Sequence, residues 1–159
     1  MCTGIGLVSQ QGHPFWGRTQ DFEQHFEYAG VKIPRGYEFT AALTPFIAER
    51  NVMGIAWAKD LHQSPVLLDG INDYGICGGS FYFDHFFKYA ATETIQSTGK
   101  LAIRGEELCT WILTHYRSLD EIKQRLGKDV GITNEVGPMM GMSVPQHCIF
   151  HDETGRACG

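Results

Sequence analysis

The chain has 159 residues, of which 43% are hydrophobic, and its formal net charge is −5. This length suits one domain with an ordinary core, and no apolar run reaches the ~18 to 20 residues of a membrane-spanning helix. Nucleic-acid binding needs a positive surface, so an acidic chain without a basic cluster argues against a nucleic-acid partner. The start of the chain lacks the basic and apolar segments of a secretory signal, and we therefore expect a cytoplasmic protein without a membrane partner.

The chain begins with a cysteine directly after the initiator methionine. Removal of Met1 would leave Cys2 with both a thiol and a free α-amine. A free cysteine thiol is partly ionised at neutral pH, and an α-amine titrates at about 8, close to the ideal for a general base. One residue would then supply both nucleophile and base, which is the sulfur version of an N-terminal nucleophile.

The residues that follow predict a β-hairpin. Residues 2–8 and 14–22 have extended, partly alternating patterns, and the polar segment between them contains Gly12 as a turn residue. Pairing of the two segments would return Arg18 and Asp21 to the start of the chain. A guanidinium near Cys2 favours a thiolate, and a carboxylate can orient the amine through a hydrogen bond.

Further strands are predicted before any helix. They cover residues 27–33, 37–43, 51–59, 66–71 and 76–83, with Pro34-Arg35-Gly36 and Asn72-Asp73-Tyr74-Gly75 as turns. Two adjacent glycines, Gly78 and Gly79, indicate the close approach of another backbone or of a ligand just before Tyr82.

Three motifs resemble the choloylglycine hydrolase and penicillin V acylase family of N-terminal nucleophile (Ntn) hydrolases. They are Cys2-Thr3, Gly17-Arg18-Thr19-x-Asp21-Phe22 and Asn72-Asp73-Tyr74-Gly75-Ile76. The resemblance implies that Cys2 is the nucleophile and that Arg18 and Asp21 form the charged pair beside it. It also implies that Tyr82 lines the substrate pocket and offers its backbone N–H to the oxyanion. The implied fold is α+β, an Ntn-hydrolase-like αββα sandwich of antiparallel sheets with helices.

The sequence departs from the family in two ways. Thr19 stands where many members have Asn, and it keeps a hydrogen-bonding group. The family also has a further oxyanion Asn and a further Arg in its second half, and Gly159 ends the sequence before either. The hairpin turn at residues 152–156 is followed by only three residues. We therefore expect residues 1–159 to be the N-terminal portion of a single Ntn-hydrolase domain, truncated, poorly folding in isolation and lacking part of its oxyanion hole.

The middle of the chain changes to a helical pattern. Residues 84–99 are aromatic and irregular, and a pocket-flanking loop is predicted there, in which Phe86, Phe87 and Tyr89 either line an acyl site or pack in the core. After Gly105, a helix is predicted from apolar residues at helical spacing. A capping-box pattern at Ser118 opens a second helix, predicted to end at Gly127.

No metal or cofactor is expected. The five cysteines include no Cys-x-x-Cys motif, and disulfides are improbable in a cytosolic chain of this kind. His147 and His151 fall in a predicted strand, where residues four apart lie about 13 Å from each other, too far to share one ion.

The predicted reaction is hydrolysis of a linear amide through a thioester on Cys2. Penicillin V, conjugated bile salts, acyl-homoserine lactones and other amides stay open as substrates, although Tyr82 is more typical of penicillin V acylases than of bile salt hydrolases. Two alternatives remain: an inactive truncated remnant, and a glutaminase domain like that of class II glutamine amidotransferases, which would have Gly where Thr3 stands. The resemblance also implies a homo-oligomer, a tetramer in the family.

Overall fold

The computed structural model describes residues 2–22, 25–59, 61–84 and 87–159. Strands β1 to β12 are Gly4–Val8, Pro14–Arg18, Tyr28–Ile33, Glu38–Phe39, Phe46–Ile47, Val52–Trp57, Leu67–Asn72, Cys77–Tyr82, Leu101–Arg104, Val130–Thr133, Gln146–His151 and Ala157–Cys158. Helices α1 to α3 are Thr92–Gln96, Leu108–His115 and Leu119–Asp129, and a 3₁₀ turn covers Gly105–Glu107. The predictions about removal of Met1 and about Phe86 lie outside the described residues. The architecture is α+β, as predicted.

A six-stranded antiparallel sheet forms the centre of the fold, in the order β12-β11-β8-β7-β6-β3. Helix α2 packs on one face of this sheet. The hydroxyl of Thr110 on α2 accepts the Leu67 N–H at 2.9 Å, and a Cβ added at Gly70 would lie 3.2 Å from the Leu113 side chain. The buried apolar side chains between helix and sheet include Ile33, Val52, Leu67, Ile76, Ile112, Leu113 and Phe150.

The predicted hairpin forms from β1 and β2, paired in antiparallel register from Gly4↔Arg18 to Val8↔Pro14. It lies on the sheet face opposite α2, because it contacts Phe81 and Gly79 of β8, which alternate with the residues on the helix side. A Cβ added at Gly4 or Gly6 would overlap the ring of Phe81 or of His151. Glycine at these positions therefore lets the hairpin approach the sheet closely, whereas Ile5, Leu7 and Phe15 are exposed to solvent.

The predicted turn between β7 and β8 forms around the buried side chain of Asn72. Its Oδ1 accepts the N–H groups of Tyr74 at 3.0 Å and Ile76 at 3.1 Å. Its Nδ2 donates to the carbonyl oxygens of Leu113 at 3.1 Å and Tyr116 at 2.8 Å. Gly75 adopts a φ of +75°, as the turn requires. One side chain thus closes the turn and fastens it to the end of α2.

The predicted helices are confirmed except at the end of α3. Ser118 is the N-cap, and its Oγ accepts the Glu121 N–H at 3.0 Å. The prediction that α3 ends at Gly127 was wrong, because the helix continues to Asp129. The carboxylate of Asp129 accepts the Tyr116 hydroxyl at 3.0 Å and pairs with Arg125 at 3.0 Å. These contacts with preceding residues hold the last turn in helical form.

Other elements also differ from the predictions. The loop predicted over residues 84–99 contains α1. The strand predicted over residues 37–43 is only the short β4, which pairs with β5 through stacked Phe39 and Phe46 rings 4.3 Å apart. Strands β9 and β10 were not predicted, and they form a separate parallel pair. Within the described part of the chain, no helix is long and apolar enough to cross a membrane.

Candidate active site

Cys2, Arg18 and Tyr82 line one small pocket, here named the Cys2 pocket, where the hairpin meets the end of β8. The other residues that line it are Gln20, Phe22, Phe26, Leu68, Ser80, Met139, Met140, Val144 and Gln146. The space inside is about 30 Å³, which is room for one or two water molecules. Three of the four predicted site residues therefore converge in one pocket.

Arg18 ties the hairpin to the central sheet at this pocket. The paired register of β7 and β8 runs from Ile71↔Cys77 to Asp69↔Gly79. The next residues along the two strands are Leu68 and Ser80. Arg18 Nη1 donates to the carbonyl oxygens of both, Ser80 at 2.6 Å and Leu68 at 3.1 Å. Its guanidinium also lies 4.6 Å from the centre of the Phe81 ring. The side chain is thus fixed by charge-assisted hydrogen bonds to both strands.

Asp21, the fourth predicted residue, does not belong to the pocket lining and is connected to the chain start through Thr19. The Thr19 hydroxyl accepts the Thr3 N–H at 3.0 Å and donates to Asp21 Oδ2 at 2.8 Å. The Thr19 N–H in turn donates to the Thr3 carbonyl at 2.9 Å. Thr19, noted above as a departure from the family, therefore anchors the residue next to Cys2 and links it to a carboxylate.

The backbone N–H of Tyr82 points toward the Arg18 side of β8. The Phe83 N–H donates to Pro145, next to β11, at 2.9 Å, and successive residues of a strand direct their N–H groups to opposite sides. The Tyr82 N–H therefore faces the β7 side, beyond the last paired residues, Asp69 and Gly79. Burial, and then the charge of Asp84, raise the pKa of the Tyr82 hydroxyl. The ring packs edge-on against Phe22 at 5.3 Å.

A family comparison agrees with this geometry. The profile of linear amide C–N hydrolases of the choloylglycine hydrolase family matches residues 2–158. The chain belongs to this family.

Individual relatives show the same likeness. The conjugated bile acid hydrolase of Lactobacillus gasseri is 25% identical over 154 residues, which are 96% of this chain and 47% of that protein. A variant of the conjugated bile acid hydrolase of Clostridium perfringens superposes with a TM-score of 0.84 at 25% identity, covering 99% of this chain and 46% of that one. For the penicillin V acylase of Agrobacterium tumefaciens the TM-score is 0.74 at 12% identity, covering 99% and 45%. The chain spans about half the length of these relatives, and the predicted choloylglycine hydrolase family and its Ntn-hydrolase-like fold are confirmed.

Asp69 is a charged group near the Cys2 pocket that the sequence analysis did not identify. Burial raises the pKa of its carboxyl group, while the charge of Arg18 and a hydrogen bond from the Ile55 N–H oppose the rise. The signal available in the sequence was a single carboxylate inside the apolar strand β7. Asp69 balances the guanidinium from the sheet side.

The sequence analysis also missed a pocket wall formed by Met139, Met140 and Val144, here named the methionine wall. Gly137-Pro138 and Gly141, with φ of +64° at Gly141, are the turn signals that frame it. Within the described residues, the lining of the Cys2 pocket includes neither Phe87 nor Tyr89, which were predicted as possible lining.

Gln146 lines the Cys2 pocket and carries an unpaired polar atom. It lies opposite Tyr82 in the β8–β11 register, and its Oε1 is buried without a hydrogen-bond partner among the described residues. A buried polar atom left unpaired costs about 1–3 kcal/mol. This cost is borne by a residue that lines the Cys2 pocket.

The described residues contain no group of three or more His, Cys, Asp or Glu side chains arranged to hold a metal ion. All five cysteines are free thiols.

Replacing Arg18 by lysine is expected to lower the free energy of unfolding by about 1–3 kcal/mol. Lysine keeps the charge, but it cannot combine the Nη1 bonds to the Leu68 and Ser80 carbonyl oxygens with the guanidinium plane over the Phe81 ring. The measurement is urea unfolding. Arg35→Lys, at an exposed position, is the matched control and should change the free energy by less than about 0.5 kcal/mol. Equal effects of the two substitutions would contradict the anchoring role of Arg18.

Proposed function

We propose that this chain carries the nucleophile and one oxyanion donor of a linear amide hydrolase. In this proposal, removal of Met1 exposes the α-amine of Cys2, and the Cys2 sulfur attacks the amide carbonyl. The amine takes the thiol proton and gives it to the leaving nitrogen, so that a thioester forms and the amine product departs. Water then attacks the thioester and releases the acid. The observation that carries the proposal is the convergence of Cys2, Arg18 and Tyr82 in one pocket.

Each neighbouring residue has a distinct part in this proposal. Arg18 brings a fixed positive charge to the pocket. Asp21, acting through Thr19 and Thr3, orients the first residues of the hairpin. The Tyr82 N–H donates to the oxyanion that develops on the substrate carbonyl. One such donor typically contributes about 100- to 1000-fold in rate.

The proposed substrates are amides that join an apolar acyl group to a polar amine. The pocket has an apolar side formed by Phe22, Phe26 and the methionine wall, which suits the acyl group. The names of the relatives point to conjugated bile acids and penicillin V as the compounds to test first. No cofactor takes part in the proposed reaction, and a cytoplasmic location and a homo-oligomeric state stay predictions.

The test is to trap the acyl-enzyme. The protein is incubated separately with penicillin V and with a glycine-conjugated bile salt, quenched in acid, and analysed by intact mass and peptide mapping. The expected result is an acyl adduct on a peptide that begins at Cys2, with Met1 absent. A Cys77→Ser variant is the matched control, and it should form the same adduct.

Other outcomes separate the alternatives. Ammonia release from glutamine without cleavage of either amide would favour the glutaminase reading. An unmodified Cys2 with no turnover of any amide would support the inactive remnant. Either result would contradict the proposed function.

A further inference from the structure

The Tyr89 hydroxyl joins the methionine wall to the start of β11. Tyr89 lies in the connection between β8 and α1 and is half-buried. Its hydroxyl donates a hydrogen bond to the Val144 carbonyl oxygen at 3.1 Å and accepts one from the Gln146 N–H at 2.9 Å. Burial raises the pKa of this hydroxyl, which therefore keeps its proton. Both partners line the Cys2 pocket, whereas Tyr89 lies outside the described lining.

The Val144 carbonyl oxygen also packs against Gly105, the first residue of the 3₁₀ turn. A Cβ added at Gly105 would overlap this oxygen, and it would lie 3.2 Å from the Tyr89 hydroxyl oxygen. Gly105 is buried, and Val144 is 3% exposed. The turn, the phenol and the Val144 carbonyl group are therefore in close contact, and only glycine at position 105 lets the wall come so near.

The other end of the methionine wall contacts the same turn. The Met139 N–H donates a hydrogen bond to the Glu106 carboxyl group, and a Cβ added at Gly137 would overlap that group. Glu106 is 1% exposed, and the turn leads directly into α2, whose side chains are almost all buried. A pocket wall supported by a packed helix is placed more precisely than one on a free loop.

The segment bonded to Tyr89 also pairs with the end of β8. Gln146 lies opposite Tyr82 in the β8–β11 register, and the Phe83 N–H donates to the Pro145 carbonyl oxygen at 2.9 Å. Gln146 keeps this place although its side-chain Oε1 is buried without a partner among the described residues, which is unfavourable. The hydrogen bond from its backbone N–H to Tyr89 helps to offset that penalty.

We propose that Tyr89 is a positioning residue that sets the width of the Cys2 pocket through its hydrogen bonds to Val144 and Gln146. The described pocket has a volume of only about 30 Å³, so a small displacement of these two lining residues changes which groups reach Cys2. Tyr89 acts on the site without touching a bound molecule. Its part in selecting an acyl group rests on the proposed function, whereas its effect on the width of the pocket does not.

The test compares two thiol reagents on Cys2, the small iodoacetamide and the aromatic N-phenylmaleimide, at one pH. Peptide mapping after increasing times gives a rate constant for each reagent. Both react with the thiolate, so the ratio of the two constants cancels thiol ionisation and reports on access. Tyr89→Phe removes only the hydroxyl. The aromatic-to-small ratio should rise roughly 2- to 12-fold, which is the change in population expected when one typical hydrogen bond is lost.

Tyr74→Phe is the matched control, because Tyr74 is exposed and is not among the described lining residues. It should keep the wild-type ratio. Cys109, which is fully buried, reports on global unfolding in the same peptide maps and should stay unlabelled in each protein. A wild-type ratio in Tyr89→Phe would overturn the proposal. Labelling of Cys109 in step with Cys2 would also overturn it, by showing that the hydroxyl supports the whole fold rather than the pocket.

Gly105→Ala tests the same contact while the Tyr89 hydroxyl stays in place. The added methyl group overlaps a backbone oxygen, which cannot rotate away as the end of a side chain can, so Val144 has to shift. The ratio should differ from that of the wild type by at least about twofold. Gly127→Ala is the control, since an added Cβ there has no listed neighbour within 4 Å.

A wild-type ratio in Gly105→Ala would contradict the close packing on which the proposal depends. None of these measurements needs amide turnover. A failed hydrolase test and a failed positioning test are therefore separate results.

Discussion

Replacing Cys2 by alanine is expected to lower amide hydrolysis at least roughly 1000-fold, because the proposed nucleophile is removed and no thioester can form. The measurement is kcat/KM with the amide that gives the acyl adduct. Arg18 and Tyr82 keep their places in the pocket, since neither makes its described contacts through the Cys2 side chain. The loss should therefore fall on the chemical step.

The control for this substitution is Cys77→Ala. Cys77 lies on β8 and is partly buried, and burial raises the pKa of its thiol, yet it does not line the Cys2 pocket. Its replacement should leave kcat/KM within a few-fold of the wild type. If Cys2→Ala kept comparable activity, another group would have to be the nucleophile and the mechanism proposed here would be wrong.

Replacing Asn72 by alanine is expected to lower the free energy of unfolding by about 3–4 kcal/mol. Four hydrogen bonds are lost together, two that close the β7–β8 turn and two that bind the end of α2. A typical hydrogen bond contributes about 0.5–1.5 kcal/mol net, so four give about 3–4 kcal/mol, and because Asn72 is 5% exposed water replaces the lost partner poorly. The measurement is urea unfolding followed by far-UV circular dichroism.

Asn51→Ala provides the matched control. Asn51 also makes two side-chain hydrogen bonds, to the Arg35 N–H and to Asp73, but it is exposed and water can replace them. The expected loss is under about 1 kcal/mol. Similar losses for the two asparagines would show that burial of the Asn72 network does not set its contribution.

The features that could be predicted from the sequence depend on neighbours in the chain. The β1–β2 hairpin follows from two extended segments around Gly12, and the start of α3 follows from the capping pattern at Ser118. The parallel pairing of β9 with β10 joins segments that are 25 or more residues apart, and short patterns do not report it. The end of α3 was missed for the same reason, because Asp129 is held by the distant Tyr116.

The candidate site also contains some features that the sequence could predict and others that depend on distant segments. Cys2 and Arg18 could be placed together because one hairpin carries both. The direction of the Tyr82 N–H depends on the register of β8 with β11, which the sequence does not state. The packing of Gly137 on the carboxyl group of Glu106, next to the pocket wall at Met139, was not predicted, because the two positions are more than 30 residues apart in the chain.

The hydrogen bonds from Arg18 to the Leu68 and Ser80 carbonyl oxygens also determine which part of this protein loses its structure first on heating. Proteins open locally before they unfold globally, and a two-stranded hairpin packed on the face of a sheet is a weakly held unit. Detachment of the β1–β2 hairpin breaks these hydrogen bonds. It therefore moves the Arg18 guanidinium away from the sheet and separates the Cys2 sulfur from the Tyr82 N–H in one event. On heating, the hairpin would then lift at temperatures where the helix and sheet beneath it are still intact.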